Sequence, residues 1–190
     1  MIRRSRSSLF LALFVPETIL FSVLIFLLVG CAHTWHPGEA PPISMEAVGR
    51  LESGLSVELV NDQPNTTLQL FAGVGGHTHY ANYNEWTEFF IKYWIEELTK
   101  RGVAVSNTSP NKIAVKLDSF GFIQGFAKLR TNMRISLSSP DKAWSKVFDE
   151  TDTSGWSMGR AFGSLIYHAV EKYMRDPEIL AQMKPRSDAK

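Results

Sequence analysis

Between Phe126 and Leu137 the chain alternates without a break. Ala127, Leu129, Thr131, Met133, Ile135 and Leu137 fall on one side, and Lys128, Arg130, Asn132, Arg134 and Ser136 on the other. Side chains of a strand point to opposite faces with a period of two, so this stretch fits a strand with one buried and one solvated face. A helix would mix the two sets. A one-sided strand needs an apolar layer on one face only, and antiparallel partners reached by short turns. Such partners are present. Leu55–Val60 and Lys112–Asp118 alternate in the same way, Thr66–Ala72 and Val103–Ser106 fit shorter strands, and Ala143–Glu150 follows a turn at 138–142. Ser119–Gly125 carries Gly121 and Gly125 and fits a bulge or turn.

Two amphipathic helices supply the apolar layer. Trp86, Phe89, Phe90, Tyr93, Trp94 and Leu98 recur at the helical period after a capping-box pair, Asn82 and Glu85, and Gly102 fits the position just past the helix end. Met158, Ala161, Phe162, Leu165, Ile166, Ala169, Val170 and Tyr173 form a second stripe, ended by Asp176-Pro177, with Thr153 or Ser154 expected as its cap. Gly159 and Gly163 on this stripe admit close backbone approach. The expected fold class is α+β: an antiparallel sheet of about four to six strands, both helices on one face, the other face polar.

The start of the chain is different in kind. Arg3, Arg4 and Arg6 precede an apolar run, Ile19–Val29, which has the length of a signal-peptide core and is too short to span a bilayer as a helix. It ends in Leu28-Val29-Gly30-Cys31, and Cys31 is the only cysteine of the 190 residues. These four residues resemble the bacterial lipobox. That resemblance implies cleavage between Gly30 and Cys31, acylation of Cys31, and a bacterial envelope location. Ala32, in place of an aspartate, points to the outer membrane facing the periplasm. A span over Leu9–Gly30 retained in the membrane is the rival reading.

The expected domain plan is a signal peptide at 1–30, a lipidated cysteine and flexible tether at 31–53, one domain at 54–183, and a frayed tail at 184–190. The tether reading rests on Pro37, Gly38, Pro41, Pro42 and Gly49, and as a coil it would span about 25 Å. The leader holds three arginines and one acid, so the 20 basic and 19 acidic residues of the chain become 17 and 18 without it. A near-neutral body gives no electrostatic case for nucleic acid.

No stretch specifies catalysis. Gly73-Val74-Gly75-Gly76 lacks the third glycine of a dinucleotide fingerprint, Thr78 standing in its place, and reads as a flexible loop continuing through Asn82. His77 and His79 in that loop are the one candidate pair for a metal-dependent hydrolase, with His168, Glu85 and Glu88 as further ligands; a catalytic metal needs three ligands and an open position. The expectation is that no cofactor, no metal and no catalytic residue is used. Lys128, Arg130 and Arg134, with Lys116 alongside, form a basic stripe expected to contact an acidic protein, a glycan or a lipid headgroup.

From Trp86 onward the layout resembles the YajG-type bacterial lipoproteins. The matching pieces are the helix ending Glu97-Leu98-Thr99-Lys100-Arg101-Gly102, the strand Ile113–Asp118, the strand after Phe126, the hairpin before Trp144-Ser145-Lys146, and the helix ending Met174–Leu180. The resemblance implies an outer-membrane lipoprotein with no known enzymatic activity, so it assigns no catalytic residue. The order of elements is also related to the lipopolysaccharide-assembly lipoprotein LptE, which implies an accessory subunit of an envelope machine. An aromatic patch left exposed on the first helix would mark that role.

Overall fold

The computed structural model describes residues 30–126, 128–155 and 157–185. The leader up to Val29, Ala127, Trp156 and the tail from residue 186 lie outside the described residues. Among the described residues eight strands and three helices follow in order: β1 (Ala32–Trp35), β2 (Ser56–Asn61), β3 (Leu68–Val74), β4 (His77–Asn82), α1 (Tyr83–Lys100), β5 (Ala104–Val105), β6 (Lys112–Gln124), β7 (Leu129–Ser138), β8 (Ser145–Ser154), α2 (Met158–Tyr173) and α3 (Pro177–Gln182). The strands make two sheets, β5-β2-β6-β7-β8 and β1-β4-β3. Among the described residues no helix is long and apolar enough to cross a membrane.

The α+β class and the β6-β7-β8 antiparallel meander are as expected. The purely antiparallel sheet is not: β2 runs parallel to both β5 and β6, and β1 runs parallel to β4. The reason is the route of the chain. The hairpin β3-β4 leaves the main sheet, and α1 then carries the chain back as a crossover, so β5 re-enters alongside β2 in the same direction. Strands adjacent in sequence were the natural pairing to expect, and β2 pairs with neither sequence neighbour.

The helices pack where the stripes direct them. α1 lies on β2 and β6, α2 lies on β7 and β8, and the rings of Phe90, Trp94 and Tyr173 join the two helices. Met133, Ile135 and Leu137 of β7 face this layer together with Ile113, Val115 and Leu117 of β6. Asn82 caps α1 by accepting from the N–H groups of Asn84 and Glu85, and Gly102 takes φ +89° just past its end. A void of about 10 Å³ between α1 and the sheet, lined by Trp86, Phe90, Phe120 and Phe162 among others, is the size of roughly one water.

Local boundaries differ from expectation at four places. β8 runs through Thr151–Ser154, pairing with Leu129–Asn132, so the cap of α2 is Ser157 and not Thr153 or Ser154. The β-branched Thr151 and Thr153 suit that strand. β6 continues to Gln124 after a bulge between Leu117 and Ser119; the turn is 125–128, and β7 starts at Leu129, not Phe126. The glycine stretch is not a loop. Gly75 and Gly76, both at positive φ (58° and 80°), form a two-residue turn that closes the β3-β4 hairpin. Residues with a side chain strain that conformation, and its twist matches the flanking strands.

The fourth difference is the segment expected as a tether. It is tied to the body along its length. β1 pairs with β4; the Trp35 carbonyl accepts from Trp86 Nε1; the Pro41 carbonyl accepts from Tyr93 Oη at 2.6 Å; and Ile43 and Val48 are buried in the core. Gly163 of α2 supplies the close approach its spacing suggested, since its α-carbon abuts the backbone of Glu39. Proline and glycine shape this segment without freeing it.

Candidate functional site

Cys31 is exposed and its thiol is unpaired. It immediately precedes β1, and its carbonyl accepts from Thr78 N–H at 2.9 Å, which fixes it beside the Gly75–Gly76 turn. The parallel register Ala32↔Thr78 and His33↔His79 then aligns the odd-numbered residues of β1 with those of β4. The cysteine therefore stands at one end of the three-stranded sheet.

That register gathers His33, His77 and His79. His33 Nε2 and His77 Nδ1 share one proton at 2.9 Å, and the His33 and His79 rings stack at 5.1 Å. Trp35 Nε1 donates to His79 Nδ1 at 2.8 Å, so the neutral His79 carries its proton on Nε2. Burial, then the neighbouring His33 and His77, hold the His79 pKa below the ordinary histidine value. The further ligands considered for His77 and His79 do not converge there: Glu85 pairs with His36 at 3.0 Å, and His168 lies on α2 beside Glu171. Among the described residues no group of three His, Cys, Asp or Glu side chains is arranged to hold a metal ion. The imidazoles bond to each other and to Trp35, which makes this cluster a packed seam between β1 and β4.

The basic stripe lies where the alternation put it. Arg130, Asn132 and Arg134 project from the solvent face of β7, and Lys128 precedes them. Its members are not equivalent. Arg134 makes a two-pronged pair with Asp149, 2.8 Å on each arm, and Lys116 pairs with Asp118 at 2.9 Å. The Asp149 contact raises the Arg134 pKa and lowers the Asp149 pKa. Lys128 and Arg130 have no ion-pair partner among the described residues, so the uncompensated charge sits at the β6-β7 turn.

Sequence reasoning missed two groups. The first is at that turn: Phe126 is 98% exposed and Ile123, opposite Arg130 in the register, is 65% exposed. Periodicity places Phe126 in a strand, and only its position in the turn reveals the exposure. The second is Arg101, which the sequence places at the negative end of the α1 dipole. It is buried, with Nη1 on Glu97 Oε2 at 2.6 Å and the rest of its guanidinium on the carbonyls of Ile43, Ser44, Val48 and Glu97.

No family model matches the chain, and no curated protein matches it. Among solved structures, a Xanthomonas campestris protein described as belonging to the DUF330 family is similar over 78% of this chain and 92% of its own, at 13% identity and a TM-score of 0.42. An uncharacterized protein is similar over 82% of this chain and 99% of its own, at 5% identity and a TM-score of 0.39. Both are neighbours in outline only.

Proposed function

We propose that this chain is a non-enzymatic bacterial lipoprotein, cut between Gly30 and Cys31, acylated at Cys31, and held on the periplasmic side of the outer membrane, where it works by contact with another envelope component. The junction carries the reading: an apolar run ends in the small residue Gly30, the single cysteine follows and is exposed, and β1 begins at the next residue. An accessible thiol is what acyl transfer to sulfur requires, and several acyl chains are what firm anchoring requires. The open faces of β7 and β8 offer the contact surface, with Lys128 and Arg130 as its free charges.

Mass spectrometry of the protein recovered from envelopes tests the anchor. The expected species starts at Cys31 and carries acyl mass; an intact Met1 terminus with a free sulfhydryl overturns it. Co-purification with Lys128, Arg130 and Arg134 neutralised together tests the contact, and an unchanged set of partners and envelope integrity overturns that part. The accessory-subunit reading gains no observation, because Trp86, Phe90, Tyr93 and Trp94 of α1 are buried.

A further inference from the structure

The Cys31 end of the small sheet and the β6-β7 turn belong to the same end of the molecule. The Cys31 carbonyl accepts from Thr78 N–H, and His77, beside Thr78, pairs with Val74. Val74 packs against the cluster of Phe122, Leu129 and Ala161, and the pair Gln124↔Leu129 closes the hairpin whose turn holds Phe126. The His79 and Phe122 rings, 5.0 Å apart, make a second link between the same two places. Ala161, in the first turns of α2, completes that small apolar cluster and brings Arg160 to the same end. Arg160 is exposed and, like Lys128 and Arg130, has no ion-pair partner among the described residues.

The chemistry of this end is one-sided. Residues 31–38, 73–79, 119–132 and 153–170 contain no aspartate or glutamate, and the acid beside them, Asp152 opposite Thr131, has its Oδ2 buried. Two apolar side chains, Phe126 and Ile123, stand in water at the tip of a hairpin, where neither contributes to the core. An apolar tip collared by cations suits a lipid interface: the ring enters the acyl boundary while each Lys or Arg near an anionic surface adds its own attraction. Cys31, the residue that the anchored reading acylates, stands at this end.

We propose that the β6-β7 turn is a second membrane contact, with Phe126 and Ile123 seated in the interface of an anionic bilayer and Lys128, Arg130 and Arg160 on lipid phosphates. The proposal rests on the anchored reading of Cys31, and it fixes what that reading leaves open, the orientation of the body. The anchor supplies proximity, the turn supplies a second point of attachment, and two points stop the body swinging about one.

The test uses the protein recovered from envelopes, starting at Cys31, reconstituted in phosphatidylcholine vesicles with and without phosphatidylglycerol, comparing F126W with its parent so that the five native tryptophans subtract out. Flotation reports the anchor separately from the turn. The expected result is flotation of both proteins, with the introduced indole blue-shifted, quenched by brominated lipid and shielded from acrylamide, most strongly with phosphatidylglycerol. Removing Lys128, Arg130 and Arg160 together is expected to abolish the phosphatidylglycerol dependence, at about fivefold in the seated population per cation. Flotation with an indole quenched by acrylamide and not by brominated lipid overturns this proposal and leaves the anchor standing. Shielding from acrylamide without quenching by brominated lipid assigns the turn to a protein partner and also overturns it. Failure to float overturns both readings.

Discussion

Replacing Arg101 by methionine removes the clamp between α1 and the segment before β2. In the native fold the guanidinium is 1% exposed and satisfies Glu97 Oε2 together with four backbone carbonyls, three of them from residues 43–48. Methionine fills much of the volume and offers no donor. Glu97 keeps Lys100, at 2.7 Å, but that partner is half exposed and answers one carboxylate oxygen only. Orphaned buried acceptors cost about 1–3 kcal/mol each when they cannot reach water, and removal of one member of a buried pair costs about 3–5 kcal/mol. The segment can relax toward solvent, so the expected loss is the second figure, about 3–5 kcal/mol. For a body of this size that lowers the melting temperature by about 6–20 °C. R101K keeps the charge but cannot reach five acceptors, and falls between the two. E97M combined with R101M recovers part of the loss, because the carboxylate is no longer stranded. Thermal unfolding by circular dichroism measures these shifts, and limited proteolysis should cut R101M first within residues 43–50. A destabilisation below about 1 kcal/mol with the segment still resistant to protease would refute the clamp.

Four further outcomes are expected. Gly76→Ala forces a side chain into a left-handed turn and should cost about 1–2 kcal/mol, read by chemical denaturation; a neutral result would mean that the β3-β4 turn is not held at positive φ. Gly163→Ala places a methyl against the Glu39 backbone, and the crowding should cost about 1–3 kcal/mol and expose the chain near Glu39 to protease. Ile179→Ala empties a fully buried site of α3 and should cost about 2–5 kcal/mol in the same assay. His79 titrates lower in the fold than in the unfolded chain, where its pKa is about 6.5. Between those values the unfolded chain binds more protons, so stability is complete above about pH 6.5 and falls as pH drops toward the folded value. His79→Gln should flatten that part of a melting-temperature profile; an unchanged slope would exclude His79 as its source.

What the sequence disclosed followed from periodicity. The stripes of α1 and α2 and the alternation of β7 were legible because each element buries one face, and burial writes its period into the residue types. The cap at Asn82 and the stop at Gly102 were legible for local reasons of the same kind. Parallel pairing at β2 was not, because strand direction depends on the route of the chain and leaves no mark in a six-residue segment. β4 was hidden because His77-Thr78-His79-Tyr80 lacks an apolar face; its partners are imidazole and indole rings brought by β1. The docked segment 36–53 was hidden for a related reason: backbone carbonyls hold it to Arg101 and Tyr93, and carbonyls belong to every residue type. At the candidate site, Cys31 and the stripe Lys128, Arg130 and Arg134 were legible. The neutralisation of Arg134 by Asp149 was not, since it required the β7-β8 register.

The position of β2 has a consequence for the life of the chain before it folds. Its flanks are later segments, β5 and β6, and its first residue is closed by the far end: Ser56 N–H donates to the Met183 carbonyl at 2.9 Å, and Asn111 Nδ2 donates to that same carbonyl. The ladders of β2 need only β5 and β6, but the bonds that close its first residue wait for Met183. Topologies dominated by such distant contacts form slowly. During synthesis the main-sheet ladders can therefore form first, and the open start of β2 is sealed only when α3 arrives.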